Sequence, residues 1–321
     1  MVILNIGVFA DYGLTLACII KPGLYAPFFK SFSMTPDQPK YLEHCPIGCD
    51  SELNDTNIVL PEGCLKICSH CGQLISQCSE QAFQHSMEEF NDPEGTWPTP
   101  KTNHSLIRNT RRILKEMEAV TGKERSQIRL LDVGCSNGAF IHAAGKMGMN
   151  CEGVEPAKEA AQAAQEAGLK VTQGFLEEAR FPDSSFDIVT IFEVIEHLKD
   201  PLSLLKECKR LLKPDGILGI RTGNTDSWTV KTLKGKWHYF NIDKHGGHIS
   251  FFNKNSMSEL AQNTGFKIER FQTYRVSYCE PEQTPFLIYR FLKVLADLSN
   301  LPAKLTDKGH EMRVYLRKQP D

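Results

Sequence analysis

The sequence predicts an α/β fold in which a parallel sheet forms the larger part of the chain. After residue 105, short apolar strands alternate with amphipathic helices, a pattern typical of parallel sheets. The first of these strands runs into a glycine-bearing turn, Gly134-Cys-Ser-Asn-Gly138. Six of the eleven cysteines fall between residues 41 and 80, which predicts a smaller module ahead of the α/β domain.

The individual elements follow from apolar periodicity and capping residues. Leu106 to Val120 has apolar residues at helical spacing, after a cap at Asn103 or Ser105. The strands that follow are short and apolar, and they are 128–133, 151–154, 186–192 and 217–221. The helices lie from 139 onward, at 156–167, at 202–212 and at 256–264. A closing pair of strands, 267–278 and 312–317, brackets an amphipathic helix at 285–298.

Composition shifts divide the chain into four regions. Residues 1–40 form an extension without a clear period, 41–90 the cysteine-rich module, 91–105 a linker rich in Pro, Gly, Asn and Thr, and 106–321 the α/β domain. The apolar run at 2–29 is interrupted by Asp11 and Lys21, which makes it a poor signal peptide and a poor membrane span. We therefore expect a cytoplasmic, reduced protein, with Met34 as an alternative translation start.

The charge balance excludes several classes of protein. The chain has 37 basic and 39 acidic residues and is 41% hydrophobic, which excludes a disordered chain, a collagen-like repeat and a polytopic membrane protein. It also argues against nucleic-acid binding through bulk positive charge. The segment from Trp228 to Asp321 is an exception, with 15 Lys and Arg against 9 Asp and Glu.

The strand and turn at residues 130–140 predict a nucleotide-type site. A glycine turn lets the backbone approach a ligand closely and directs helix N–H groups at it. Glu155 ends the next strand, 21 residues after Gly134, where a carboxylate suits the two hydroxyls of a ribose. In the alternative interpretation, Gly134 and Gly138 only pack helix against strand, and Glu155 is a solvated strand end.

The turn and two further segments together resemble the class I S-adenosylmethionine-dependent methyltransferases. The two segments are Phe186-Asp-Ile-Val-Thr-Ile-Phe-Glu-Val-Ile-Glu-His-Leu-Lys-Asp-Pro201 and Leu211-Leu-Lys-Pro-Asp-Gly216. The resemblance covers about residues 105–318. It implies a Rossmann-like sheet of seven strands with helices on both faces, and S-adenosylmethionine as cofactor. The residues that it implies around the cofactor are Asp132, Gly134, Cys135, Gly138, Glu155, Phe175, Leu176 and Phe192.

Within that set, the resemblance gives different parts of the cofactor to different residues. Asp132, Gly134 and Gly138 surround the methionine part, and Glu155 holds the ribose. Many family members carry an acidic residue near the position of Phe175, where it binds the adenine amine. This chain reads Gly174-Phe-Leu-Glu-Glu178, so we expect backbone atoms of Phe175 and Leu176 to hold the adenine instead.

A cluster of acidic residues and histidines predicts the catalytic groups. Glu193, Glu196 and His197 follow a strand, and His248 belongs to a downstream histidine group with His238 and His245. Carboxylates and imidazoles together suit a divalent ion that lowers the pKa of an acceptor hydroxyl. The arrangement is similar to the metal site of small-RNA 3′-terminal 2′-O-methyltransferases and to that of quinone-biosynthesis O-methyltransferases, which implies Mg²⁺ or Mn²⁺ on Glu193, Glu196, His197 and His248. Without a metal, His197 or His248 serves as general base, assisted by Glu196.

The paired cysteines predict a structural zinc ion. Cys45 and Cys49 form one short-spaced pair and Cys68 and Cys71 another, and four thiolates suit tetrahedral Zn²⁺ with no open position. Cys64, His44 and His70 are alternative ligands, and free buried cysteines are the alternative to a metal. A cysteine module ahead of such a core is similar to sugar-modifying and natural-product methyltransferases.

The function expected from these features is O-methylation of a small-molecule or sugar hydroxyl. The alternatives are a metal-assisted RNA 2′-O-methyltransferase and a non-catalytic cofactor-binding scaffold. Nucleic acid is the less expected partner because no basic, aromatic platform for single strands is evident. For the apolar helix at 285–298 we expect packing in the core or on a second copy in a homodimer, ahead of a role at a membrane surface.

Overall fold

The computed structural model describes residues 40–90, 98–242 and 247–320, without the side chains of 88–90. The expected extension at 1–40, apart from its last residue, lies outside this range, as do residues 91–97 of the linker and His245. Its strands are β1 (Leu53–Leu60), β2 (Gly63–Cys68), β3 (Leu74–Ile75), β4 (Arg129–Val133), β5 (Asn150–Glu155), β6 (Val171–Gln173), β7 (Phe186–Phe192), β8 (Leu212–Gly223), β9 (Ser250–Phe251), β10 (Phe266–Tyr274) and β11 (Glu311–Lys318). Its helices are α1 (Glu80–Phe90), α2 (His104–Thr121), α3 (Ala139–Lys146), α4 (Lys158–Glu166), α5 (Pro201–Leu211), α6 (Trp228–Leu233), α7 (Lys254–Asn263) and α8 (Phe286–Leu305).

Seven strands form the main sheet, in the order β10-β11-β8-β7-β4-β5-β6. The strands from β8 to β6 run parallel, whereas β11 runs antiparallel to both of its neighbours. The chain reverses its direction of winding between β4 and β7, and the carboxyl ends of these two strands carry the glycine turn and Glu193. Open α/β sheets bind their ligands at such a reversal.

Helices cover both faces of the main sheet, as predicted. Leu130, Ile188 and Ile217 pack on one face with apolar residues of α2, α3 and α4. Leu131 and Val189 point the other way and pack with residues of α5 and α7. Adjacent residues of a strand point to opposite faces, so these continuously apolar strands are buried on both sides.

The smaller sheet has the order β1-β2-β3-β9 and takes its last strand from the α/β domain. Leu74 pairs with Phe251 and Ile75 with Ser250, and the amide of Ser76 donates to the carbonyl of Ile249 (2.8 Å). The cysteine-rich region and the α/β domain therefore share a sheet, and the shared strand begins two residues after His248.

Three predicted element boundaries differ from the structure by more than two residues. The strand predicted over 267–278 ends at Tyr274, and residues 214–216 belong to β8, which begins at Leu212 because that residue already pairs with Phe186. The apolar helix runs on from 298 to Leu305 despite Pro302, because Ala303 is fully buried and holds the last turn. Along its length most large apolar side chains are exposed, so the interpretation as a core-packed helix is wrong. No helix in the described ranges is long and apolar enough to cross a membrane.

Candidate active site

The glycine turn after β4 has the close approach that the sequence predicted. Gly134 has φ +70°, and a Cβ there would lie 2.6 Å from a methyl carbon of Val194. Gly138 has φ +77° and precedes α3, and a Cβ there would lie 2.5 Å from Leu169. Both positions need glycine on two grounds, the left-handed backbone and the missing space.

Glu155 lies at the carboxyl end of β5, beside the turn. Its carboxylate is 7% exposed and accepts hydrogen bonds from the amides of Ser136 (2.7 Å) and Ala157 (2.9 Å). These two bonds fix the orientation of the carboxylate, and lone pairs remain on both oxygens. A buried, oriented carboxylate next to a glycine turn fits a ribose diol.

Three further predicted cofactor residues surround the turn in different ways. Asp132 is buried, burial raises its pKa to about 7, and it accepts a hydrogen bond from the Thr190 hydroxyl (2.6 Å). Cys135 directs its thiol toward Gly153, so only its backbone faces the turn. Phe192 ends β7 and packs edge-on against Phe140 at 5.4 Å between ring centroids.

The segment after β6 differs from the expected adenine contact. Phe175 is 62% exposed, whereas Leu176 is buried. The amide of Phe175 donates to the Glu178 carboxylate at 3.1 Å, so it already has a partner. Position 175 itself is not acidic, but the turn after Gly174 brings the carboxylate of Glu178 back to it.

Glu193 adopts a strained backbone conformation at the end of β7. Its φ is +57°, which is rare for a residue other than glycine, and such strain concentrates at functional sites. The amide of Glu193 donates to the carbonyl of Arg221 (2.9 Å), and its carboxylate pairs with the Arg221 guanidinium (2.9 Å). Arg221 thus holds this turn from both backbone and side chain.

Glu196 is fully buried and surrounded by hydroxyl groups. It accepts hydrogen bonds from the hydroxyls of Thr222 (3.0 Å) and Tyr239. The Tyr239 hydroxyl in turn accepts from the amide of Gly223 (2.9 Å). Burial raises the pKa of Glu196, and the Tyr239 bond opposes that rise. A buried carboxylate with tuned basicity is suited to accept a proton or to bind a cation.

His248 completes this group from a distant part of the chain. Its Nδ1 lies 2.8 Å from the carbonyl oxygen of Tyr239, which only accepts, so Nδ1 carries the proton. The other nitrogen, Nε2, lies 3.8 Å from the Glu196 carboxylate. The ring of His197 lies 4.6 Å from that of His248, and one donor atom from each of these three residues lies within 4.8 Å of the others.

The predicted histidines and acids therefore fall into separate groups. Glu196, His197 and His248 come together, and Glu193 lies beside them but pairs with Arg221. His238 instead pairs with Glu280 at 3.1 Å, away from the group. Tyr239, Thr222 and Arg221 were not predicted as site residues. The position of Tyr239 between His238 and His245 could have indicated its place in the site.

The four predicted thiols of Cys45, Cys49, Cys68 and Cys71 lie together, with their sulfur atoms within 4.8 Å of one another. The sulfurs of Cys45 and Cys71 are 3.7 Å apart. A tetrahedral Zn²⁺ with bonds of about 2.3 Å has sulfur–sulfur edges of about 3.8 Å, so the donor set fits the ion. The Cys71 thiol lowers the pKa of Cys45 through their hydrogen bond. Cys64, His44 and His70 are outside this group.

The comparisons with known proteins identify a family for the α/β domain. A methyltransferase domain family matches residues 102–270. The ubiquinone biosynthesis O-methyltransferase of Actinobacillus pleuropneumoniae is 32% identical over 157 residues, which are 44% of this chain and 65% of that protein. The enzyme of the same name from Haemophilus ducreyi is 39% identical over 161 residues, which are 47% of this chain and 65% of the length of that enzyme.

A solved structure, of a methyltransferase from Archaeoglobus fulgidus, aligns at 18% identity with a TM-score of 0.46, covering 65% of this chain and 94% of that one. The chain thus spans 65% of the length of the two curated relatives. With more than half of its residues in the matched domain, it belongs to the class I S-adenosylmethionine-dependent methyltransferases.

Proposed function

We propose that the chain transfers the methyl group of S-adenosylmethionine to a hydroxyl oxygen of a small molecule. The observation that carries this proposal is the position of His248 beside Glu196. Its Nε2 lies 3.8 Å from the carboxylate of the fully buried Glu196, at the sheet edge that also carries the glycine turn. A hydroxyl that becomes a methyl acceptor must lose its proton, and this pair of groups is placed to take it.

The cofactor's sulfonium supplies an activated methyl group, so the protein's task is to align the acceptor and remove its proton. Gly134 and Gly138 admit the cofactor at the turn, Glu155 holds its ribose, and the carboxylate of Glu178 is placed for the adenine amine. Asp132 and Phe192 border the part of the site that holds the methionine portion of the cofactor. Glu196 and His248 form the acceptor side of the site.

A divalent ion is compatible with the same acceptor side. Glu196, His197 and His248 would hold Mg²⁺ or Mn²⁺, which supplies a Lewis acid that lowers the pKa of a bound hydroxyl. Glu193 would remain the partner of Arg221. Chelation distinguishes this case from an imidazole acting alone as general base.

For the acceptor we infer a phenolic hydroxyl of a quinone precursor. The support is the activity for which both curated relatives are named, O-methylation in ubiquinone biosynthesis. The segment facing Glu196 is also aromatic, with Trp237 stacked on Tyr239 at 4.8 Å and Phe251 next to both His248 and Tyr239. A sugar hydroxyl and an RNA 2′-hydroxyl are the competing acceptors.

The test is an initial-rate assay with a catechol, a monosaccharide and a short RNA as acceptors. We expect methyl transfer to the catechol only, and loss of that activity in His248→Asn but not in the matched control His238→Asn. Activity abolished by a chelator and restored by Mg²⁺ would assign the ion, and unchanged activity would assign the imidazole base. Transfer to RNA alone would contradict the proposed acceptor.

We further propose that the four-thiol cluster holds one structural Zn²⁺. The support is the sulfur geometry together with the amide of Gln73, which lies 3.4 Å from the Cys71 sulfur, as in a metal-binding turn. Metal analysis of the purified protein should give one zinc per chain, and Cys71→Ser should release it while Cys64→Ser retains it. Zinc lost equally from both variants would place the ion elsewhere.

A further inference from the structure

Helix α8 presents a continuous apolar face to solvent. Six large side chains follow one another at intervals of four, three, four, three and four residues, and each is between 59% and 79% exposed. They are Leu287, Phe291, Val294, Leu298, Leu301 and Leu305. The helix touches the rest of the chain through its opposite side, where Ala296 and Ala303 are buried. This face is thus available for an external partner.

Cations line one border of this face. Arg290, Lys293 and Lys304 are exposed on the same side of the helix, and Asp297 is the one acid among them. Arg290 lies over the Phe286 ring at 5.7 Å, so its charge stays at the edge of the apolar surface. An apolar stripe bordered by lysine and arginine is typical of helices that lie in the surface of a bilayer.

The helix lies on the acceptor side of the molecule. It connects β10 to β11 at the carboxyl end of β8, where Gly223 pairs with Glu311. The loop before α8 contacts the segment that carries Tyr239, because the Glu280 carboxylate accepts a hydrogen bond from the amide of His238 (3.1 Å). Whatever binds α8 therefore lies at the same end of the sheet as Glu196 and His248.

We propose that α8 docks on a lipid bilayer that contains anionic headgroups. The helix lies flat, with its apolar face among the acyl chains and its three cations among the headgroups, which complement their charge. Such docking brings the acceptor side of the sheet close to a phenol dissolved in the lipid, a consequence that rests on the proposed function. A second copy is a poorer fit, because each α8 helix brings the same excess of positive charge, Arg290, Lys293 and Lys304 against Asp297, and two copies would set like charges together.

The test is co-sedimentation of the full chain with vesicles of phosphatidylcholine, with and without phosphatidylglycerol. We expect binding to the anionic vesicles that weakens at high salt, because exposed charges are screened. Val294→Asp combined with Leu298→Asp should weaken binding by about tenfold or more. Arg290→Glu should weaken it by about fivefold or more, because one cation is lost.

The matched control is Val59→Asp, since Val59 is an equally exposed valine (66%) on β1, remote from α8 in sequence. It should bind vesicles like the unmodified chain. No binding, or equal binding by all variants, would overturn the proposal. So would a stable dimer that Leu298→Asp dissociates, since the face would then belong to a second copy. The readout needs neither cofactor nor acceptor, so its failure is separate from a failure of the proposed methyl transfer.

Discussion

The replacement Glu155→Gln tests how the chain holds its cofactor. The Glu155 carboxylate is buried and fixed by the amides of Ser136 and Ala157, so it offers both hydroxyls of a ribose a charged acceptor. A glutamine keeps the shape of the glutamate side chain and one acceptor oxygen. Its amide nitrogen, which cannot accept, faces either the second ribose hydroxyl or the amide of Ser136 or Ala157. One charge-assisted hydrogen bond, worth about 2 kcal/mol, is then lost, and the dissociation constant rises about 30-fold.

The measurement is isothermal titration calorimetry with S-adenosylmethionine, accompanied by a thermal melt of each variant. Glu152→Gln is the matched control, because Glu152 lies on the same strand but pairs with Arg129 (2.8 Å) at the other end. It should bind the cofactor like the unmodified chain. Equal affinity in both glutamine variants, with both folded, would refute the assignment of Glu155 to the ribose.

Three further predictions concern catalysis and stability. His248→Asn should lower kcat by about 100-fold or more while cofactor affinity stays constant, and stopped-time assays with calorimetry would expose an effect on binding instead. Arg313→Met should destabilise the fold by about 3 kcal/mol in urea titrations, because the Glu116 carboxylate, whose oxygen lies 2.7 Å from the Arg313 guanidinium, would stay buried without its cation. Adding Glu116→Gln to this variant should restore part of the lost stability. Burial lowers the pKa of His310 to about 4 from 6.5, so the unfolded chain protonates first and stability should fall by up to about 3 kcal/mol as pH drops between these values. His310→Asn should flatten that fall, and an unchanged pH dependence would show that another group causes it.

Local spacing was enough to predict six strands of the main sheet and the glycine turn, whereas β6 is only three residues long and the number of seven strands came from the family resemblance. Strand, turn and helix follow one another within a few residues, and each step has its own signal in apolar runs, glycines and caps. The seven strands and the helices on both faces are confirmed. The four thiols also come together as predicted, because two short-spaced pairs leave few arrangements.

The acceptor side depends on contacts that spacing does not encode. His248 meets Glu196 across 52 positions of sequence, and the hydroxyl of Tyr239 reaches Glu196 only after the segment from Trp237 folds over the sheet edge. Arg221 lies within strand β8, and the local sequence does not indicate that it pairs with Glu193. Strand β9 is two residues long, too short for a period to show.

The apolar helix shows a different limit. Its periodicity predicted an amphipathic helix correctly, but a pattern of apolar residues does not reveal whether their face is covered. Only the packing of Ala296 and Ala303 shows which side faces the sheet, and this leaves Leu298 and its neighbours in solvent.

The most direct test of the central claim is a carbon-13 experiment with methyl-labelled S-adenosylmethionine. The purified chain is incubated with a bacterial extract, which is then separated into small molecules, RNA and protein, and each fraction is examined by NMR. The account predicts a labelled O-methyl group in the small-molecule fraction, which is absent with His248→Asn. Label that appears instead on nitrogen or carbon, or in the RNA fraction, would contradict the assignment of a small-molecule hydroxyl as the acceptor.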